Sequence, residues 1–150
     1  MEQNNTRRRP NRGGKSTPAR APIQANEGRR APAREPVITG PFADMGIDHR
    51  INANIIAMGL TTPTPIQEQG IPAIVQGRDV LGLAQTGTGK TAAFGLPMLT
   101  RLINYGKKPD PKTCRALILA PTRELATQIA TNIDAYAEGT PIRSFRVVGG

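Results

Sequence analysis

The chain has 150 residues, 20 of them Lys or Arg and 11 Asp or Glu, so its formal net charge is +9. This length fits about one domain. No apolar run approaches the roughly 18 residues of a membrane-spanning helix, which excludes a transmembrane protein. One cysteine, Cys114, and one histidine, His49, are too few for a disulfide framework or a Cys/His zinc site. Because the first 40 residues also lack the apolar core of a signal peptide, we expect a soluble cytoplasmic protein.

The N-terminal segment differs in composition from the rest. Residues 1–40 contain nine basic and three acidic residues, a net charge of +6, with five prolines and only three larger aliphatic residues. Such a segment buries too little apolar surface to offset its chain entropy, so we expect residues 1–39 to be a disordered tail. The tail is either an arm that follows nucleic-acid phosphates or a solvated extension without a specific partner. A mitochondrial transit peptide is a third alternative, although the prolines disfavour its helix.

Beyond residue 40, four segments have apolar residues at helical spacing. The second predicted helix starts at Pro65 behind a Thr64 cap and has a break near Pro72, and the third is bent at Pro97. The predicted helices cover approximately residues 47–59, 64–77, 90–104 and 125–137.

Three short apolar runs indicate β-strands, at residues 80–84, 115–120 and 144–148. The second run is apolar at every position after its first residue, which predicts a strand buried on both faces. Strands that alternate with helices predict an α/β fold, in which a parallel sheet is flanked by helices.

A glycine-rich turn joins the first predicted strand to the third predicted helix. It has the sequence Ala84-Gln85-Thr86-Gly87-Thr88-Gly89-Lys90-Thr91. This fits the phosphate-loop pattern, except that Ala84 stands where the strict form has glycine. Gly87 and Gly89 let the backbone curl so that N–H groups face phosphate oxygens. Lys90 is expected to bind the β- and γ-phosphates and the Thr91 hydroxyl to bind Mg²⁺, which makes both catalytic residues of a nucleoside-triphosphate site.

Two residues upstream are candidates for recognising the base. Gln67 is on the first turn of the second predicted helix, and its amide can donate to N7 and accept from the N6 amino group of adenine. Guanine fits poorly, because it presents acceptors at both O6 and N7. Phe42, seventeen residues before Gly59, has a ring that can stack on adenine. On their own, these residues favour a packed Phe42 and a solvated Gln67 over a site that recognises a base.

Together, these features resemble the DEAD-box RNA helicases in order and spacing. Phe42 with Gly59 and Pro63-Thr64-Pro65-Ile66-Gln67 resembles the family's Q motif, and the turn of residues 84–91 resembles its motif I. Two further features resemble motif Ia and the glycine pair that follows it, namely Pro121-Thr122-Arg123-Glu124-Leu125-Ala126 and Gly149-Gly150.

The resemblance covers about residues 40–150 and is closest to the bacterial RhlE-like group. It divides the chain into the tail (1–39), a Q-motif region (40–68) and the N-terminal part of a RecA-like ATP-binding domain (69–150).

The resemblance implies an adenine-specific, Mg²⁺-dependent ATPase that locally separates short RNA duplexes. It implies that Gln67 reads adenine, that Phe42 stacks on it and that residues 84–91 hold ATP. Ala84 agrees with the family, which usually has alanine at this position. The implied contacts with RNA are made by Pro121, Thr122, Arg123, Gly149 and Gly150, and the tail is a possible further contact.

Some motifs of the family are absent from these 150 residues. ATP hydrolysis needs a carboxylate that holds Mg²⁺, whereas no predicted strand ends in Asp and no two acidic residues are adjacent. The family's acidic motif, its Ser-Ala-Thr motif and its second domain are therefore missing. We expect an N-terminal helicase fragment that does not hydrolyse ATP by itself. Two alternatives stay open: another P-loop NTPase, such as a GTPase or a transporter ATPase, and a non-hydrolysing polypeptide that binds RNA through its basic tail.

Overall fold

The computed structural model describes residue 40 and residues 42–149, in which four α-helices follow a single turn of 3₁₀ helix. The predicted disordered tail, residues 1–39, lies outside the described residues, as do Pro41 and Gly150. None of the helices in this described part is long and apolar enough to cross a membrane. The 3₁₀ turn is Ala43–Met45, and the helices are α1 (His49–Ala57), α2 (Pro65–Val75), α3 (Lys90–Tyr105) and α4 (Arg123–Tyr136).

The four helices lie where their apolar periodicity predicts them. Thr64 is the N-cap of α2 and Pro65 is its first residue, as predicted. The predicted break near Pro72 is wrong, because α2 continues through this residue to Val75. A proline removes one intrahelical hydrogen bond, and here the neighbouring Ile71 is completely buried in the core. Its burial, worth roughly 1.5–3 kcal/mol, offsets much of that loss.

The hydrophobic core is formed by the inward faces of the helices. Gly95 allows α3 and α4 to approach closely, since a Cβ atom there would lie 2.7 Å from Ile133 Cδ1. The largest apolar side chains that are almost completely buried come from α1, α2, α3 and the residue before the 3₁₀ turn, and they are Phe42, Ile51, Ile55, Ile71, Leu96 and Leu99.

Side-chain amides and guanidinium groups bind the C-terminal ends of two helices. Asn54 on α1 donates from Nδ2 to the carbonyl oxygens of Tyr136 and Glu138, both at 2.8 Å, at the end of α4. Arg101 on α3 donates from Nη1 to the carbonyl oxygen of Ile74 at 3.1 Å, in the last turn of α2. The last carbonyls of a helix lack intrahelical donors, so these contacts both satisfy the helix ends and fix the helices to one another.

The three predicted strands are not strands in the described residues. Residues 80–84, 115–120 and 144–148 have no regular secondary structure there, so the parallel sheet of the predicted α/β fold is not formed. The prediction that residues 115–120 are buried on both faces is also wrong, since Leu119 is 83% exposed. A helix makes its hydrogen bonds within one segment, whereas a strand forms only when a second strand pairs with it. The apolar pattern alone does not supply that pairing.

Candidate functional site

The glycine-rich loop before α3 has the backbone that its sequence demands. Gly87 and Gly89 have φ angles of 80° and 83°, in the left-handed region that favours glycine. Thr88 Oγ1 donates a hydrogen bond to the carbonyl oxygen of Gln85 at 2.8 Å, which closes the turn. Lys90 Nζ donates to the same oxygen at 2.6 Å and also to the carbonyl oxygen of Ala84. The ammonium group is therefore held beside the loop by neutral acceptors.

The start of α3 fits a phosphate group. Its N-cap is Gly89, which has no side chain to accept from the first turn. The first N–H groups of a helix have no intrahelical acceptor, and the N-terminus carries partial positive charge. Lys90 adds a full charge at this point, and the hydroxyl of Thr91, in the same turn, is the group that would bind Mg²⁺. The residues present therefore match the donors that a nucleotide phosphate requires, and the Thr91 hydroxyl would supply one ligand to the metal ion.

Gln67 connects the start of α2 to this loop. It is only 4% exposed. Its Oε1 accepts from the backbone N of Thr64 at 3.0 Å, and its Nε2 donates to the carbonyl oxygen of Gly89 at 3.2 Å. Thr64 Oγ1 donates in addition to the carbonyl oxygen of Thr88 at 2.9 Å. Sequence reasoning did not find these contacts between loop and helix, because nothing local in either segment indicates them.

Phe42 lies in the hydrophobic core. The residue is 1% exposed and belongs to the cluster of buried side chains. Its burial agrees with the packing alternative. Stacking on adenine stays a prediction, which requires one face of this ring to become exposed.

A cavity of about 180 Å³ lies beside the loop, between α2, α3 and residues 80–82. Ile66, Ile74, Phe94 and Lys90 are among its lining residues. Small-molecule sites typically measure roughly 300–1,000 Å³, so this cavity is too small for a complete nucleotide.

The predicted RNA-contacting residues Pro121, Thr122 and Arg123 are exposed at the start of α4. Thr122 is the N-cap of α4, and its Oγ1 accepts from the backbone N of Leu125 at 3.2 Å. Gly149 is exposed as well, whereas Gly150 lies outside the described residues. The structure thus places an exposed guanidinium group at a capped helix start.

Arg146 is a further basic residue near the start of α4 that sequence reasoning missed. Its Nη1 donates to Thr127 Oγ1 at 3.0 Å, and this hydroxyl donates to the carbonyl oxygen of Arg123 at 2.9 Å. Arg146 is exposed and lies three residues before Gly149, which is the one signal in the sequence that could have drawn attention to it. Two arginines therefore flank the first turns of α4.

A known protein family matches the part of the chain that contains these residues. The family model described as DEAD/DEAH box helicase matches residues 64–150, which is more than half of the chain. The chain belongs to the DEAD/DEAH box helicase family. This confirms the family indicated by the sequence motifs and favours a helicase over the other P-loop NTPases. The RhlE-like subgroup stays a prediction.

Curated helicases from fungi and bacteria are similar to this chain over most of its length. It is 44% identical over 119 residues to the ATP-dependent RNA helicase DBP10 of Candida albicans, a match that covers 79% of this chain and 13% of the relative. For the ATP-dependent rRNA helicase RRP3 of Ajellomyces capsulatus, the identity is 46%, with 78% and 23% covered. For the DEAD-box ATP-dependent RNA helicase RhpA of Helicobacter pylori it is 45%, with 73% and 21% covered. The chain spans less than a quarter of each of these relatives.

Solved helicase structures share its fold. The RNA helicase Prp28 from Chaetomium thermophilum, bound to ADP, matches with a TM-score of 0.61 and 40% identity, over 71% of this chain and 26% of that one. Dbp5 of S. cerevisiae, bound to RNA and ADP BeF3, matches with a TM-score of 0.56 and 35% identity, over 65% and 24%. The described residues therefore have the arrangement of part of a helicase domain.

Proposed function

We propose that this chain is the nucleotide-binding part of an ATP-dependent RNA helicase, which separates short RNA duplexes while it hydrolyses ATP. The observation that carries the proposal is the contact between Gln67 and the loop before α3, where Nε2 donates to the carbonyl oxygen of Gly89 at 3.2 Å. It brings a side chain able to recognise adenine next to an uncapped helix start that can bind phosphate. The ADP bound to Prp28 and Dbp5 supports a nucleotide at this place.

Gln67 provides the adenine specificity. A glutamine amide has two N–H groups and an oxygen with two lone pairs, and the contacts with Thr64 and Gly89 use one of each. The remaining N–H group and lone pair match N7 and the N6 amino group of adenine. Phe42 stacks on the base after its ring leaves the core, and residues 84–91 bind the phosphates.

Lys90 and Thr91 hold the triphosphate and Mg²⁺. The metal ion supplies charge that stabilises the phosphate oxygens during phosphoryl transfer. Lys90 exchanges the carbonyl oxygens of Ala84 and Gln85 for phosphate oxygens, and the Thr91 hydroxyl orients the metal. The 150 residues contain no adjacent acidic pair, so the chain binds Mg-ATP but hydrolyses it only as part of a longer, RecA-like two-domain enzyme.

RNA binds at the start of α4. Arg123 and Arg146 provide the charge, and the first-turn N–H groups that Thr122 leaves unpaired donate hydrogen bonds to a phosphate. Pro121, Gly149 and Gly150 contribute backbone contacts, and the basic tail of residues 1–39 adds an electrostatic contact. The RNA bound to Dbp5 supports this partner. The cytoplasm is the compartment in which we place the protein.

An NMR titration of the whole chain with Mg-ADP and with Mg-GDP tests the adenine site. Mg-ADP should shift the amide signals of Gln67 and of residues 87–91, and Mg-GDP should leave them unchanged. Gln67→Ala should weaken Mg-ADP binding about tenfold, the effect of one or two lost hydrogen bonds, and should reduce the preference for adenine.

Gln69→Ala is the matched control, since Gln69 is exposed on the same turn of α2. It should bind Mg-ADP as tightly as the unmodified chain. Equal shifts with both nucleotides would overturn the adenine specificity, and a folded chain without any shift would overturn the nucleotide site.

A further inference from the structure

The segment that follows α3 concentrates the positive charge of the folded part. We call residues 105–115 the basic loop; they contain Lys107, Lys108, Lys112 and Arg115 against the single acidic residue Asp110, a net charge of +3. The other residues of the range 41–150 contain seven basic and seven acidic residues and have no net charge. A compact patch of one sign attracts a partner of the opposite sign.

The lysines of the basic loop point into solvent. Lys107, Lys108 and Lys112 are all exposed, and neither Lys108 nor Lys112 forms an ion pair with any residue that the structure describes. Lys112 has a φ angle of 64°, a conformation that costs a non-glycine residue roughly 1–2 kcal/mol. Both the backbone N and Oγ1 of Thr113 donate to the carbonyl oxygen of Asp110, at 3.1 and 2.7 Å, and hold this turn.

The loop is anchored to the end of α3. Gly106 ends the helix with a φ angle of 66°, and its backbone N donates to the carbonyl oxygen of Ile103. Arg115 Nη1 donates to the carbonyl oxygens of Leu102 at 3.2 Å and Lys107 at 2.9 Å. Both acceptors are neutral carbonyl oxygens, so these contacts do not cancel the positive charge of Arg115, which adds to the charge of the loop. The loop is closed at its base, so the backbone that carries the lysines is held at both ends.

An exposed aromatic ring lies at the edge of the basic loop. Tyr105, the last residue of α3, is 64% exposed, and Lys107 Nζ lies 5.7 Å from the centre of its ring. An aromatic side chain beside lysines is the combination on which single-stranded nucleic acids bind, with a base on the ring and phosphates on the ammonium groups.

From this juxtaposition we propose that the basic loop binds single-stranded RNA. Residues 106–115 contain no large aliphatic side chain, and lysine is depleted in protein interfaces, so an acidic protein fits the loop less well. Tyr105 and Lys90 are at opposite ends of α3, roughly 23 Å apart at the rise of an α-helix. The loop can therefore hold an RNA strand while the other end of α3 holds a nucleotide.

Fluorescence anisotropy of a fluorescein-labelled oligouridylate with the whole chain tests the proposal. Tyr105→Leu keeps an apolar side chain with high helix propensity but removes the ring, and it should weaken RNA binding about tenfold. Tyr105→Phe, which keeps the ring, should bind like the unmodified chain. Ultraviolet crosslinking of the same oligouridylate, mapped by mass spectrometry, should label Tyr105.

The lysines are tested by the salt dependence of the same binding reaction. Changing Lys107, Lys108 and Lys112 together to Gln should reduce the slope of log affinity against log salt by about 2, at about 0.7 for each phosphate contact with a single strand. Changing Arg7, Arg8 and Arg9 to Gln removes the same charge from the tail, and it should leave the Tyr105 crosslink intact.

Two results would overturn the proposal. One is equal affinity of the Leu and Phe variants of Tyr105 with crosslinks elsewhere, which would mean purely electrostatic binding. The other is unchanged RNA affinity after the three lysines are replaced, which would favour an acidic protein as the partner of the loop. The amide shifts caused by Mg-ADP at residues 87–91 should persist in every variant, so either failure is distinguishable from failure of the nucleotide site.

Discussion

The starts of α3 and α4 both follow an apolar segment and both carry a basic first residue. They differ in whether a side chain accepts a hydrogen bond from the first-turn N–H groups. At α4, the hydroxyl of Thr122 accepts from the backbone N of Leu125, so the protein caps its own helix. At α3, the N-cap is Gly89 and no side chain caps the first turn.

The difference distinguishes a helix start that is capped by its own side chain from one whose first-turn N–H groups have no side-chain acceptor. Glycine at an N-cap costs only a few tenths of a kcal/mol relative to a capping residue. The missing side-chain cap of α3 therefore lowers the stability of the fold only slightly. The N–H groups of its first turn have no side-chain acceptor, and the Lys90 ammonium donates to neutral carbonyl oxygens of the loop. At α4 the backbone N–H of Leu125 is already satisfied by Thr122, and the exposed charge at this helix start is that of Arg123.

The largest effect is expected from truncation of the charge at the start of α3. Lys90→Ala should raise the dissociation constant of Mg-ADP roughly 10- to 100-fold, because hydrogen bonds to a charged group contribute about 1.5–3 kcal/mol. Isothermal titration calorimetry measures this change. Arg78→Ala, which removes an exposed charge outside the loop, is the control and should leave the constant unchanged. Similar losses in both variants would show that only the overall charge matters.

The next effect is expected at the glycine N-cap itself. Gly89→Ala adds a Cβ that would collide with Gln67 Nε2, at a φ angle of 83°. It should lower the free energy of unfolding by about 2–3 kcal/mol, the sum of the left-handed conformation and one broken hydrogen bond. Gly106→Ala has a similar φ of 66° and meets no atom closer than 3.9 Å. Urea denaturation should show a loss of only about 1–2 kcal/mol there; equal losses would mean that Gln67 moves aside without cost.

A smaller effect is expected from removal of the cap of α4. Thr122→Ala should lower the free energy of unfolding by about 1 kcal/mol, and Thr122→Ser should restore it. Thermal and urea denaturation measure both. Thr131→Ala removes an exposed hydroxyl from the middle of the same helix, where it caps nothing. A loss of stability as large at Thr131 as at Thr122 would contradict the capping role.

The smallest effect concerns α1, whose start is capped by a carboxylate. Asp48 accepts from the backbone N and Nε of Arg50, each at 3.0 Å. The Arg50 side chain, aided by its backbone N–H and its charge, lowers the pKa of Asp48 below the ordinary 3.8, although burial opposes the shift. A lowered pKa stabilises the fold above about pH 4, and this contribution is lost as the pH falls through the folded-state value.

Urea denaturation at pH 6 and pH 3 tests this titration. Asp48→Asn should make the free energy of unfolding less dependent on pH between these values, and Arg50→Gln should do the same. A pH dependence that both variants leave intact would assign acid destabilisation to other carboxylates.

The helices were predictable from sequence and the strands were not, for a physical reason. The apolar stripe of α1, with Ile51 and Ile55, and the start of α2 at Thr64–Pro65 are both observed. Each is predicted from residues within one or two helical turns. The apolar run that contains Leu119 has an equally clear composition, but its structure depends on a pairing partner that is not specified by neighbouring residues. Local periodicity therefore specifies the helices without specifying a sheet.

The candidate site also combines features that the sequence predicts with contacts that it does not. The backbone of the loop around Gly87 and Gly89 follows from its sequence, because glycine alone adopts those φ angles without strain. The hydrogen bond from Gln67 to this loop spans 22 residues, and that from Arg146 to Thr127 spans 19. Such contacts depend on how helices and loops pack, and no spacing rule predicts them.

Asn54 has a consequence for local opening. Helix ends normally fray first and exchange their amide hydrogens with solvent fastest. The end of α4 is held by an amide from α1, 82 residues earlier in the chain, through the carbonyl oxygens of Tyr136 and Glu138. Fraying of α4 therefore breaks bonds to α1 as well. Hydrogen exchange in the last turn of α4 should report the opening of both helices as one cooperative unit, although the sequence places them far apart.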